Sequence, residues 1–220
     1  MPEAIKAVLF DMDGTLVDSE STHLRALLDL LHEQDLTLPA GFDEACTGMT
    51  INAVHERVVD QCGLAMALDD FIERKNAAFI GRLGELRRRH GATAALDLLD
   101  ARGIRWAVVS NSERPVMDAS LASLGLVAPG RVTVSRNEVA QGKPAPDPYL
   151  RAAQLLGLKP EDCLVIEDSG PGAAAGLAAG MRTIGWPEPH REDIVFPPGV
   201  HVLAATEQGG ELSQALDALT

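Results

Sequence analysis

An α/β fold is what this 220-residue sequence predicts: a Rossmann-like, doubly wound parallel sheet forms the core, and an all-helical cap domain is inserted into it. Three observations lead there. Short apolar runs of strand length alternate with segments of helical periodicity, the pattern of a buried parallel sheet covered by helices. Between the first two apolar runs lie roughly ninety residues with helical patterning alone, far more than a βαβ crossover requires. Acidic and polar residues cluster just beyond the runs, where open parallel sheets collect their ligands.

The elements follow in order. Residues 5–10 form the first strand; 105–110, 131–134, 163–166 and 182–185 supply four more, and 200–203 an edge strand. Helices are expected over 92–102, 114–124, 148–156, 172–179 and 210–219. Gly103, Gly125, Gly157 and Gly180 stop the first four, because glycine enters the left-handed conformation that ends a helix without steric penalty. Inside the insertion, Leu24, Leu27, Leu28 and Leu31 recur at helical spacing, as do Val54, Val58, Val59 and Cys62, and a third helical pattern spans 71–86. The core domain is therefore expected at 1–16 and 90–220 and the helical cap at 17–89. The cap is entered at Val17-Asp18-Ser19, left near Arg89-His90-Gly91, and expected to stand over the carboxyl edge of the sheet.

Composition narrows the function. With 46% hydrophobic and 23% charged residues the chain is an ordinary globular one. A formal charge of −13 opposes the phosphate contacts that drive nucleic-acid binding, and 4% aromatic residues leave little with which to stack bases. Neither a nucleic acid nor a membrane is expected as partner. Cys46, Cys62 and Cys163 have no metal-site spacing and no disulfide framework. The apolar run at the start is short and interrupted by Lys6, so the expected location is the cytoplasm. A monomer or weak homodimer is expected.

The chemistry gathers at the strand ends. Asp11 and Asp13 leave the first strand, Ser110 and Asn111 the second, and Glu167 and Asp168 a later one, while Lys143 stands in Gly142-Lys143-Pro144. Two like charges about 4 Å apart repel by on the order of 4 kcal/mol at an effective dielectric near 20, so such a cluster calls for a cation. Hard oxygen donors without a Cys or His pair select Mg²⁺ over zinc. Mg²⁺ often shares a phosphate oxygen, and Lys143, Ser110, Asn111 and the backbone N–H groups around Asp13 and Gly14 are suited to orient that phosphate. The plainer alternatives are an exposed turn for Asp11 and Asp13, a solvated turn lysine for Lys143, and helix caps for Ser110 and Ser112.

Together these residues carry a resemblance. The string Phe10-Asp11-Met12-Asp13-Gly14-Thr15-Leu16-Val17-Asp18-Ser19-Glu20, with Ser110, Lys143 in Gly-Lys-Pro-Ala-Pro-Asp and Ile166-Glu167-Asp168-Ser169, resembles the haloacid dehalogenase superfamily. Within it, the chain is similar to the helical-cap branch of β-phosphoglucomutase and sugar-phosphate phosphatases. The resemblance implies that Asp11 is the nucleophile that becomes an aspartyl phosphate and that Asp13 is the general acid and base. It also implies that Asp11, Asp168 and the Asp13 carbonyl hold Mg²⁺, with Glu167 as ligand or support, and that Ser110 and Lys143 hold the phosphoryl oxygens. By the same resemblance His23 meets Asp13 or the substrate, against the plainer reading of a helix-face histidine. Glu20, Thr47, Gly48, Met49 and Asn52 are candidate substrate contacts on the cap.

Rival readings are weaker. Gly170-Pro171-Gly172-Ala173-Ala174-Ala175-Gly176 imitates a dinucleotide fingerprint, but a pyrophosphate there would face Glu167 and Asp168, so close helix–sheet packing is the better account. Arg87-Arg88-Arg89 reads as a basic run at a helix C-terminus. Asp13 argues against dehalogenation, and the absence of lysine between Lys6 and Lys75 against a phosphonatase. Thr47 and Ile51 stand where the mutase carries cationic groups. The expected reaction is hydrolysis of a small phosphorylated metabolite, with a phosphosugar mutase as alternative and a non-catalytic phospho-acceptor or binding protein as the rival from another class.

Overall fold

The computed structural model describes residues 5–42, 49–189, 191, 193–204, 206 and 209–219. The strands are β1 (Ala7–Phe10), β2 (Val17–Asp18), β3 (Arg87–Arg88), β4 (Arg105–Val109), β5 (Thr133–Val134), β6 (Cys163–Glu167), β7 (Arg182–Gly185) and β8 (His201–Val202). Six of them form one sheet in the order β5-β4-β1-β6-β7-β8, every neighbouring pair parallel. The chain runs outward from β1 through β4 to β5, then returns to the other side of β1 for β6, β7 and β8. This is a doubly wound α/β sheet with its reversal at β1, and the loops leaving that reversal form the crevice in which such folds bind ligands.

The central strand explains itself. All four residues of β1, Ala-Val-Leu-Phe, are fully buried, as an interior parallel strand covered on both faces must be. Phe10 lies level with Val108 of β4 and Ile166 of β6, and the Asp11 N–H continues the ladder by donating to the Ile166 carbonyl at 3.0 Å. One residue past the register are therefore Asp11, Val109 and Glu167. Ser110 and Asp168 follow one step later. Three acidic or hydroxyl-bearing strand ends converge because the register brings them out side by side.

The chain divides into two compact units, residues 1–18 with 87–220 and residues 19–86. In the first, helices α4 (Ala92–Ala101), α5 (Arg114–Ser123), α6 (Asp147–Leu156), α7 (Gly170–Ala178) and α8 (Gly210–Leu219) accompany the sheet. Leu9, Val109, Tyr149, Val165 and Ala175 belong to its buried core. Gly103, Gly125, Gly157 and Gly180 all adopt positive φ, between 65° and 74°, just past the helices they stop. The second unit contains α1 (Glu20–His32), α2 (Ile51–Cys62) and α3 (Leu68–Ile80) around Leu27, Leu31, Val58 and Phe71. Asp29 accepts two bonds from Arg82, at 2.6 and 2.8 Å, locking α1 to the turn after α3. No described helix is long and apolar enough to cross a membrane.

Two sequence expectations change here. The third helical pattern, expected over 71–86, ends at Ile80 and gives way to a 3₁₀ turn at Leu83–Glu85. The arginine run is then no helix terminus: Arg87–Arg88 is a strand, paired antiparallel with Val17–Asp18. That ribbon clusters with the sheet unit, so residues 17–18 and 87–89 lie outside the helical unit. A two-residue strand is too short to show periodicity, and its partner is seventy positions away in sequence.

The small-residue stretch packs as expected. A Cβ on Gly176 of α7 would stand 2.6 Å from Thr183 Oγ1 and 3.1 Å from Val165 Cγ1, so the helix rests directly on β6 and β7. Gly176→Val should destabilise the fold by about 1–3 kcal/mol, the usual scale for overpacking. A urea or thermal melt checks this, and an unchanged midpoint would contradict the packing account.

Candidate active site

The turn after β1 is fixed by its own backbone. The N–H groups of Thr15, Leu16 and Val17 all donate to the Met12 carbonyl, at 3.3, 2.9 and 2.9 Å, and Gly14 N–H donates to the Val17 carbonyl at 2.8 Å. Gly14 sits at φ +77°, and a Cβ there would be 2.3 Å from Asp168 Oδ2. Only glycine fits both the conformation and the close approach. Thr15 Oγ1 donates to Asp168 Oδ1 at 3.1 Å, so the turn is tied to the end of β6.

Lys143 occupies the centre. Its ammonium is buried and donates to Asp11 Oδ1, to Glu167 Oε1 at 2.6 Å and to the Val109 carbonyl at 2.8 Å. Burial acts to lower its pKa, but Asp11 and Glu167 outweigh burial and hold it above the ordinary lysine value, so it stays charged. Asn111 brackets the lysine, its Oδ1 accepting from Lys143 N–H at 2.9 Å and its Nδ2 donating to the Lys143 carbonyl at 3.1 Å. The amide expected to reach phosphate is thus spent on the lysine backbone. Glu167 is also fully used: Tyr149 donates to Oε1 at 2.8 Å and Ser169 Oγ to Oε2 at 3.0 Å. It is equipped to support Lys143 more than to bind a metal directly.

Asp13 has a different environment. Ser112 Oγ donates to its Oδ2 at 2.7 Å and Ser110 Oγ at 3.3 Å. The two aspartates of one turn are therefore set apart, Asp11 gripped by a buried ammonium and Asp13 held by hydroxyls. Burial raises the Asp11 pKa well above the usual carboxylate range against the pull of Lys143, with Glu167, Asp168 and Asp13 adding to the rise. Burial, then Glu167 and Glu188, push Asp168 up to about 8.

One carboxylate oxygen from each of Asp11, Glu167 and Asp168 lies within 4.8 Å of the others. These are all hard oxygen donors, and burial disfavours the charged forms of Asp11 and Asp168, so the pair fits a divalent cation such as Mg²⁺, which stabilises those charged forms. Asp11 and Asp168 would hold it.

The remaining candidates belong to the helical unit or fall outside the described residues. Glu20 and His23 belong to α1 of the helical unit, where His23 Nδ1 is 3.2 Å from Lys75 Nζ and its ring stacks on Phe79 with centroids 4.2 Å apart. Thr47 and Gly48, with Cys46, lie outside the described residues. Met49 and Asn52 are exposed. Tyr149, Thr15 and Ser112 are participants that sequence reasoning missed or left open. Tyr149 carries a signal in retrospect: it is the one tyrosine of the chain, six residues after Lys143 and on an otherwise helical core face.

The family described as haloacid dehalogenase-like hydrolase matches residues 5–180. Hexitol phosphatase A of Escherichia coli (strain K12) is 38% identical over 185 residues, which cover 81% of this chain and 82% of that protein. Protein CbbY of Rhodobacter capsulatus is 32% identical over 191 residues, covering 82% and 84%. The crystal structure of CbbY from Rhodobacter sphaeroides in complex with xylulose-(1,5)bisphosphate has the same fold, with a TM-score of 0.83 and 24% identity over 98% of this chain and 99% of that one.

The electrostatics generate a test. Asp168 holds its proton to about pH 8 in the fold, against about 3.9 in an unfolded chain. The folded state therefore binds more protons between those values, and the Asp168 contribution to stability falls as pH rises through that window. A divalent cation replaces the proton. Calorimetric melts should show a larger stabilisation by Mg²⁺ at pH 8 than at pH 5, and Asp168→Asn should reduce both the stabilisation and its pH dependence, leaving what Asp11 contributes. A Mg²⁺ effect independent of pH, or one undiminished in Asp168→Asn, would contradict the assignment.

Proposed function

The chain belongs to the haloacid dehalogenase-like hydrolases and is a phosphomonoester hydrolase, and we propose that it is a Mg²⁺-dependent phosphatase of a small sugar or polyol phosphate that acts through an aspartyl phosphate on Asp11. One observation carries this reading. A single turn presents a buried carboxylate bound to Lys143 and a second carboxylate held by two serine hydroxyls, with Asp168 bonded to the same turn. Two carboxylates with environments that differ in this way are suited to separate roles, one as nucleophile and one as acid and base.

In this mechanism an Asp11 carboxylate oxygen attacks the phosphorus of the substrate. The bond from phosphorus to the leaving oxygen breaks, and Asp13 gives that oxygen a proton. Asp13, now ionised, then takes a proton from the water that attacks the phosphorus of the aspartyl phosphate, which releases inorganic phosphate and restores Asp11. Lys143 and the Ser110 hydroxyl hold the phosphoryl oxygens as charge shifts among them, with the backbone N–H group of Asn111 as a further donor. Asp11 and Asp168 would hold Mg²⁺, which would supply positive charge to offset the repulsion between the phosphate and Asp11. The substrate class rests on relatives whose own names include hexitol phosphatase, and Glu20 and His23 of the helical unit, with Gly48 outside the described residues, are the residues proposed to select within it.

Asp11→Asn should abolish turnover, because an amide is a far poorer nucleophile. Asp13→Asn should slow hydrolysis of alkyl phosphates by roughly 10²–10⁴, with aryl phosphates less affected because their leaving groups need little protonation. Rapid-quench measurement of the first, phosphoryl-transfer step on both substrate types checks this, and equal losses in that step would contradict the acid role. When β-glucose 1-phosphate is supplied with a trace of glucose 1,6-bisphosphate, phosphorus NMR should show inorganic phosphate forming first. Faster appearance of glucose 6-phosphate would replace the phosphatase with a mutase.

A further inference from the structure

Arg89 belongs to neither the nucleophile turn nor the acidic cluster, yet its guanidinium is buried beside both. Nη1 donates to the Gly14 carbonyl at 2.7 Å and to the Trp186 carbonyl at 2.6 Å, and Nη2 donates to the Pro187 carbonyl. The Arg89 Cζ lies over the Trp186 ring, 3.7 Å from its centre, and the Arg89 backbone N–H donates to the Leu16 carbonyl at 2.9 Å. Burying a guanidinium is costly unless its donors are satisfied. Among the described residues all three bonds go to backbone carbonyls, so the arginine works as a brace between two loops.

One end of the brace is chemically placed. The Gly14 peptide lies between Arg89, on its carbonyl, and Asp168, whose Oδ2 is 2.3 Å from the position of a Gly14 Cβ. The next residue, Thr15, donates to Asp168 Oδ1. The other end is the segment after β7, which is anchored by Trp186 N–H on the Glu167 carbonyl at 2.6 Å and by Trp186 Nε1 on Glu211 Oε1 at 2.9 Å. We propose that Arg89 is a positioning residue of the phosphoryl-transfer centre: by holding the Gly14 carbonyl against the 186–187 segment, it sets the approach of the Asp11–Thr15 turn to Asp168 and so the geometry of the cation site. The inference rests on the phosphatase reading for its kinetic consequence and on the acidic cluster for its binding consequence. Arg88 supplies a contrast, since its guanidinium donates to the Leu124 and Gly125 carbonyls, away from the turn.

The test compares the full-length protein with Arg89→Lys, Arg89→Gln and Arg88→Gln. Isothermal calorimetry with MgCl₂ alone reads the site without turnover, and kcat and KM are measured on p-nitrophenyl phosphate. Both Arg89 variants should bind Mg²⁺ roughly tenfold or more weakly, the scale seen when a group supporting a metal ligand is lost. In both, kcat should fall while KM changes little. Arg88→Gln should keep the wild-type Mg²⁺ affinity. A cooperatively melting Arg89→Lys with wild-type Mg²⁺ affinity would overturn the proposal, and so would an Arg89→Lys that fails to fold, which assigns the residue to the scaffold alone. If the wild type binds Mg²⁺ but hydrolyses no phosphomonoester, the phosphatase reading fails, and the calorimetric comparison still decides the role of Arg89.

Discussion

A buried ammonium between two carboxylates is the constraint on which the rest of the site depends. Lys143 touches Asp11 and Glu167 at once, in a place where neither acid nor base is solvated. Such an arrangement stabilises little by itself, because desolvation offsets most of the attraction, but removing one partner strands the others. The surroundings therefore have to hold all three. Asn111 fixes the lysine backbone, Tyr149 and Ser169 saturate Glu167, and the β1–β6 register delivers Asp11 and Glu167 to the same level.

Small residues make room for this charge cluster. A Cβ on Gly172 would fall 1.8 Å from Glu167 Oε1, and one on Gly14 would collide with Asp168. The glycines that resemble a dinucleotide fingerprint thus serve an acidic site, where a pyrophosphate would be repelled. Burial moves Tyr149 well above its usual pKa, with Glu167 and Asp11 adding to the rise, so it remains a neutral donor to the glutamate. Charge in the cluster is left to Lys143, to the carboxylates and to whatever cation joins them.

Much of this was legible in the sequence because the fold signals and the chemical signals are local. Strand-length apolar runs, glycine stops and carboxylates at strand ends each occupy a few consecutive residues, and the core helices end where Gly103, Gly125, Gly157 and Gly180 predict. What stayed hidden depends on contacts distant in sequence. The ribbon of Val17–Asp18 with Arg87–Arg88, the brace from Arg89 to Gly14 and the phenol of Tyr149 under Glu167 join residues with no pattern linking them. Asn111 is legible as part of the site, but that its side chain serves the Lys143 backbone is not, because a side-chain amide can serve a backbone as readily as a phosphate. Arg87-Arg88-Arg89 was legible as charge and misread as a helix end, since the helix stops seven residues before the run.

The central claim is that Asp11 becomes covalently phosphorylated, and chemical trapping tests it most directly. Borohydride added during turnover of a phosphomonoester reduces an acyl phosphate to an alcohol, which peptide mass spectrometry then locates. The account predicts homoserine in place of Asp11, dependent on both substrate and Mg²⁺ and absent without either. Phosphate release at an undiminished rate with Asp11 never reduced, or reduction at a different carboxylate, would contradict it.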